Sequence, residues 1–201
     1  MTTARDLSIV ALDVASDRPV EQGDLSLALA GAEVLDLIAA GALTLDGDRI
    51  TPGTQSSTGD RLLDEAAASL VRQEPFESVE DWVWRRGRGL SSAYVADLER
   101  DGLTARARGR VIPLWTGQTV LVDSPDRHRA GERRASGEPV LAALAAAAGI
   151  DDAAAEDRQE LTDDAVTTVL AAVGDAVMEL EAVRQRKSIE DAAFDNVWRG
   201  F

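Results

Sequence analysis

The residues with most chemistry to offer are arginines. Residues 85–134 hold 11 arginines against 6 acidic residues, a local surplus of +5 in a chain whose formal net charge is −15. Guanidinium groups gathered on one face recognise phosphate or carboxylate through charge-assisted, often bidentate hydrogen bonds. The same groups scattered over a surface merely keep an acidic protein soluble, and sequence spacing leaves both readings open. The densest stretch is Trp82-Val83-Trp84-Arg85-Arg86-Gly87-Arg88. Tryptophans one turn ahead of cations suit the boundary between apolar chains and water, so Trp84 is a candidate membrane contact.

Other chemistries find no constellation. His128, the one histidine, stands between Arg127 and Arg129, whose charges oppose a bound metal or proton, and no partner ligands share its spacing. It reads as a surface loop residue. With no cysteine, disulfides and thiolate sites are excluded. Ser91 and Ser92 lack the glycine-flanked turn of a nucleophile elbow, and no P-loop or dinucleotide fingerprint occurs. Gly87-Arg88-Gly89 is too short to count as a phosphate loop. Asp163 and Asp164 follow Thr162, where acids suit the start of a helix. The expectation is a non-catalytic chain without a cofactor or metal.

The elements that must position these residues are mostly helical. Alanine and leucine supply most of the 45% apolar content, and aromatics are few. A short apolar stretch at 7–14 is either a strand or the start of a helix. Residues 24–40 read as a helix, with Leu27, Ala30, Val34 and Ile38 on one side and Gly41 as its stop. A hairpin follows around Asp46-Gly47. Helices are expected at 60–72, from Ser78 (paired with Asp81 as a capping box) through Trp84, and at 91–101. A second, longer hairpin spans 106–123. Pro139 opens an alanine-rich helix over 140–148. Thr162 caps a long helix to about Lys187, and Ser188 with Asp191 caps a last one ending near Trp198.

The fold class is therefore mainly α: a single compact helical globule over 1–201 with two short β-hairpins. Residues 124–138 and 150–161, charged and without periodicity, are expected to be mobile loops. The longest apolar run, 140–150, falls well short of the roughly 20 residues that cross a bilayer, and no signal-peptide core precedes Asp13. A cytoplasmic protein is expected, touching the inner face of a membrane peripherally if at all.

Four stretches resemble the Golgi phosphoprotein 3-like family. They are Leu29-Ala-Gly-Ala-Glu-Val-Leu-Asp-Leu-Ile-Ala-Ala-Gly41-Ala-Leu-Thr-Leu, then Thr58-Gly-Asp60-Arg-Leu62-Leu-Asp64-Glu65-Ala66, Val79-Glu-Asp-Trp82 and Leu98-Glu-Arg-Asp-Gly102-Leu. The resemblance implies a helical globule carrying a shallow basic pocket for phosphatidylinositol 4-phosphate, and self-association into a homo-oligomer through the hairpin. It also places Trp82 in the core. The family's pocket tryptophan falls at Glu21, its first-helix arginine at Ala30, and its remaining two arginines at Arg88 and Ser91. Only Arg88 is retained. Arg85, Arg86 and Arg18, close in sequence to the altered positions, are the candidates to make up the lost charge. The partner expected is an anionic phospholipid headgroup or membrane surface. The alternative is a self-associating or protein-binding scaffold that kept the fold without lipid binding.

Helix, glycine, then hairpin is also the layout of a winged-helix module. The helix at 91–101, however, carries Asp97, Glu99 and Asp101 against Arg100 alone. Arg106, Arg108 and Arg110 alternate along one strand and share a face. On a chain this acidic, nucleic acid is not the expected partner.

Overall fold

In a computed structural model, residues 2–15, 20–54, 57–106, 119–151 and 163–199 are described, with side chains through Asp191 and excepting that of Arg106. Among them are eight helices and two antiparallel strand pairs: α1 Thr3–Val14, α2 Gln22–Ala39, β1 Leu43–Asp46, β2 Arg49–Pro52, α3 Arg61–Ala68, α4 Val79–Arg86, α5 Leu90–Arg100, β3 Thr104–Arg106, β4 Thr119–Leu121, α6 Pro125–Ala135, α7 Pro139–Ala147 and α8 Asp164–Arg199. The mainly α expectation holds, and the ambiguous stretch at 7–14 is helix.

The axis of the fold is α2. Every residue from Leu25 to Leu35 is buried, including Ser26 and Glu33, so this helix is covered on all sides. It packs against α1, α3, α4, α5, α7 and α8. The crossing with α8 is close because Gly31 has no side chain: a Cβ there would lie 2.3 Å from Cγ2 of Val173. Val169, Val173 and Ala176 are the buried face of α8 at this crossing.

Local caps fix the helix ends. Asp36 on α2 accepts the amides of Thr3 and Ala4 at 2.8 and 2.9 Å, tying the start of α1 to the central helix. Asp60 caps α3 by accepting from the amide of Leu63. Thr58 donates both its amide and its hydroxyl to Asp64 Oδ1, each at 2.7 Å, so the Thr-Gly-Asp motif is a loop-to-helix lock. The capping box between Ser78 and Asp81 is formed in full. In the first hairpin, Asp46 pairs with Arg49 across Gly47, whose φ is 61°. The second is paired at Thr104–Arg106 with Thr119–Leu121, and its tip, with Arg108 and Arg110, lies outside the described residues.

Two expectations need correction. Residues 124–138 are not a loop: Ser124 caps and Pro125 opens α6, which is held to the body by ion pairs. Arg127 reaches Asp13 and Arg133 reaches Asp6 at 2.6 Å, while Arg134 pairs with Asp151. His128 is accordingly on a helix, exposed, with Nε2 2.7 Å from Asp123 Oδ1. Nor does the chain break at Ser188, because α8 runs on as one helix of 36 residues. Its start is capped by Asp163, which accepts from Ala165 and Val166. Thr162 lies outside the described residues, as does most of the second expected loop, 152–161.

Candidate functional site

The short helix α4 distributes the Trp-Arg stretch to three different places. Val79, Trp82 and Val83 face the core. Trp82 is fully buried and its indole N–H donates to the carbonyl of Ala30 at 3.1 Å. Arg86, one turn further along the same face, points inward as well. Its Nε donates to Glu33 Oε2 at 2.7 Å and its Nη2 to Glu33 Oε1 at 2.9 Å, with a further bond to the Leu62 carbonyl. Tyr94 donates its hydroxyl to the same carboxylate at 3.2 Å. Burial raises the Glu33 carboxyl above its usual range against the opposing pull of Arg86, and raises the Tyr94 phenol well above its own.

Arg85 turns the other way. Nε and Nη2 clasp Glu77 at 3.1 and 2.6 Å, and the guanidinium lies 5.0 Å from the centre of the Trp82 ring. Both of these arginines are therefore spent on carboxylates of the protein itself. Arg18 lies outside the described residues.

Arg88 differs. It sits in the turn between α4 and α5, exposed, with no carboxylate partner among the described residues. It lines a hollow of about 290 Å³ together with Gln22, Gly23, Trp84, Ser92 and Leu180. Trp84 is half-buried and packs against the core. The hollow thus brings together the retained family arginine and the candidate membrane tryptophan.

Two helix starts border it. Gly89, at φ 71°, turns the chain into α5 and offers no side chain to cap it. The side chain of Glu21 likewise makes no capping bond to α2. The positive ends of an 18-residue and an 11-residue helix therefore meet at the hollow beside Arg88, an arrangement that favours an anion. Ser26 and Ser91 are buried beside the hollow in a mainly apolar lining: their hydroxyls lie 2.9 Å apart, and the Ser91 amide donates to Ser26 Oγ at 3.1 Å. Gly87 keeps the two helices close, since a Cβ there would meet Leu27 Cδ2 at 3.2 Å.

The family model for Golgi phosphoprotein 3 (GPP34) matches residues 4–190. The chain belongs to the Golgi phosphoprotein 3 family. Among curated proteins, none matches it.

In this Golgi phosphoprotein 3 family member, the four positions singled out by the resemblance do not all meet. Arg88 and Ser91 line the hollow. Ala30 is buried inside the fold, with no exposed surface. Glu21 is exposed at the start of α2 and immediately precedes Gln22 at the rim. The sequence held a signal that Arg86 faces inward, because 79, 82, 83 and 86 recur at the spacing of one helical face. It held none for Leu180, which arrives from α8 more than 90 residues away. No helix among the described residues is long and apolar enough to cross a membrane, and no group of metal-ligating side chains is gathered there.

Proposed function

We propose that this protein binds the headgroup of an anionic phospholipid of the phosphatidylinositol 4-phosphate type at a membrane surface, without catalysis. The observation that carries this reading is Arg88. It is the exposed cation, free of carboxylates among the described residues, in a hollow shared with Trp84 and the starts of α2 and α5. A phosphomonoester has close to two negative charges and suits a guanidinium backed by helix ends. Trp84, half-buried at the same rim, is placed to meet the interfacial layer of the lipid. The protein stays on the cytoplasmic side and touches the membrane peripherally.

The test is co-sedimentation with vesicles that are neutral, or carry phosphatidylinositol, or carry its 4-phosphate, at low and at physiological salt. Binding that requires the phosphoinositide, weakens with salt and is lost in Arg88→Ala supports the reading, provided the variant melts with the wild type. Unfolding of Arg88→Ala would mark the residue as structural and dismiss the site. A second reading is self-association, favoured by Met178 and Ile189 on α8, which are 65% and 69% exposed three turns apart. Salt-insensitive oligomerisation without vesicle binding is its signature.

A further inference from the structure

The hollow has a wall that α8 supplies. Gly23, in the first turn of α2, lines the hollow, and a Cβ at that position would lie 2.7 Å from Nη2 of Arg184 and 2.8 Å from Cδ2 of Leu180. Leu180 is itself a lining residue, and Arg184 follows it by one helical turn. The guanidinium therefore lies next to two lining residues of the hollow, packed over a glycine that leaves room for it.

Arg184 is held there unevenly. Its Nη1 faces both oxygens of Asp24, at 2.8 Å from Oδ1 and 3.0 Å from Oδ2, and lies 3.6 Å from Glu181. Buried Asp24 Oδ1 nevertheless receives no well-directed hydrogen bond. A bidentate pair would spend two nitrogens on two oxygens; this one spends a single nitrogen. Nη2, above Gly23, is not used in the pair. The side chain keeps 31% of its surface exposed, so it is within reach of solvent and of a ligand.

We infer that Arg184 is the second cation of this hollow, presenting its Nη2 edge to a phosphate group while Nη1 remains on Asp24. This rests on the headgroup reading above and extends it to a residue 96 positions further along the chain. Asp24 holds the guanidinium over Gly23 and at the same time offsets its charge. It therefore acts as a brake on affinity: its negative charge stays beside the guanidinium and opposes the approach of the phosphate. The chemistry recognised is a phosphomonoester, whether on a lipid or free in solution.

The full-length protein is titrated with vesicles carrying phosphatidylinositol 4-phosphate and, separately, with inorganic phosphate, alongside Arg184→Gln, Arg184→Lys, Asp24→Asn and Arg88→Ala. Arg184→Gln is expected to weaken vesicle binding about ten- to a hundredfold, the range of one lost charge-assisted contact. Arg184→Lys retains part of the affinity, and Asp24→Asn binds more tightly than wild type. Melting temperatures measured alongside separate these effects from unfolding. Inorganic phosphate is expected to bind far more weakly than the vesicles. Wild-type affinity in Arg184→Gln, with no gain in Asp24→Asn and loss in Arg88→Ala, overturns the role of Arg184 and leaves the hollow standing. Loss of phosphate binding alone, with vesicle binding unchanged, overturns its role toward the headgroup. An absence of binding to either probe in wild type and Asp24→Asn overturns both.

Discussion

Glu33 and Arg86 meet inside the helical core as a two-pronged pair, Nε to Oε2 at 2.7 Å and Nη2 to Oε1 at 2.9 Å, joining α2 to α4. Glu33 has no exposed surface and Arg86 keeps 17% of its own. The Tyr94 hydroxyl and the Leu62 carbonyl satisfy what the pair leaves over.

Removing one partner leaves the other charge buried. Arg86→Ala is expected to cost about 3–5 kcal/mol of folding free energy, and Glu33→Ala a similar amount. The joint replacement Glu33→Leu with Arg86→Met should recover most of the loss. Urea unfolding measures all three. A loss below about 1 kcal/mol in Arg86→Ala would mean that the pair is not a fold element.

A second expectation concerns the crossing of α2 and α8. Gly31→Ala places a Cβ 2.3 Å from Val173 Cγ2, a distance no packed pair of carbons adopts, so one helix must shift. The cost of such overpacking is about 1–3 kcal/mol. Val173→Ala in the same chain should return part of it, and a thermal double-mutant cycle would read the coupling. Independent, additive effects would place the close approach elsewhere.

Acid stability provides the third. Backbone and hydroxyl donors of Thr58, with Ser57, hold the Asp64 carboxyl below its usual range, and Ser78 does the same for Asp81. A carboxyl depressed in the folded state contributes stability that is present above its unfolded pKa and disappears as pH falls through the folded one. Asp64→Asn and Asp81→Asn should therefore be less stable than wild type at pH 7. The gap should close as pH drops below about 4. A gap unchanged between pH 7 and pH 2.5 would show that these carboxylates act by shape, not charge.

The parts of this fold that were legible in the sequence are those whose cause is local. The capping box at Ser78 and Asp81, the hairpin at Gly47 and the proline opening α7 each need only a few neighbouring residues. The helix α6 was hidden because its attachment is ionic: Ala130 alone is buried, while Arg127, Arg133 and Arg134 find Asp13, Asp6 and Asp151 across the fold. Apolar periodicity cannot register such a helix, although Ser124 followed by Pro125 was a usable cap signal. At Ser188 the reverse occurred, with a cap pattern present in a helix that continues past it.

At the site, the retained arginine was legible through the family pattern, whereas Arg86, expected at the pocket, turns inward to Glu33. The contribution of α8 was not legible. Leu180 and Arg184 reach Gly23 only because Gly31 allows the two helices to approach, a relation between residues roughly 150 apart. Nothing in a local window records it.

That approach also sets an order of assembly during synthesis. The central helix ends at Ala39, whereas the helix that seals its glycine face begins at Asp164. At about 5–20 residues per second, the ribosome leaves that face bare for roughly 6 to 25 seconds. Throughout this interval the nascent chain carries an apolar seam that α8 has yet to cover, and a chain cut short upstream of Val173 would keep that seam bare.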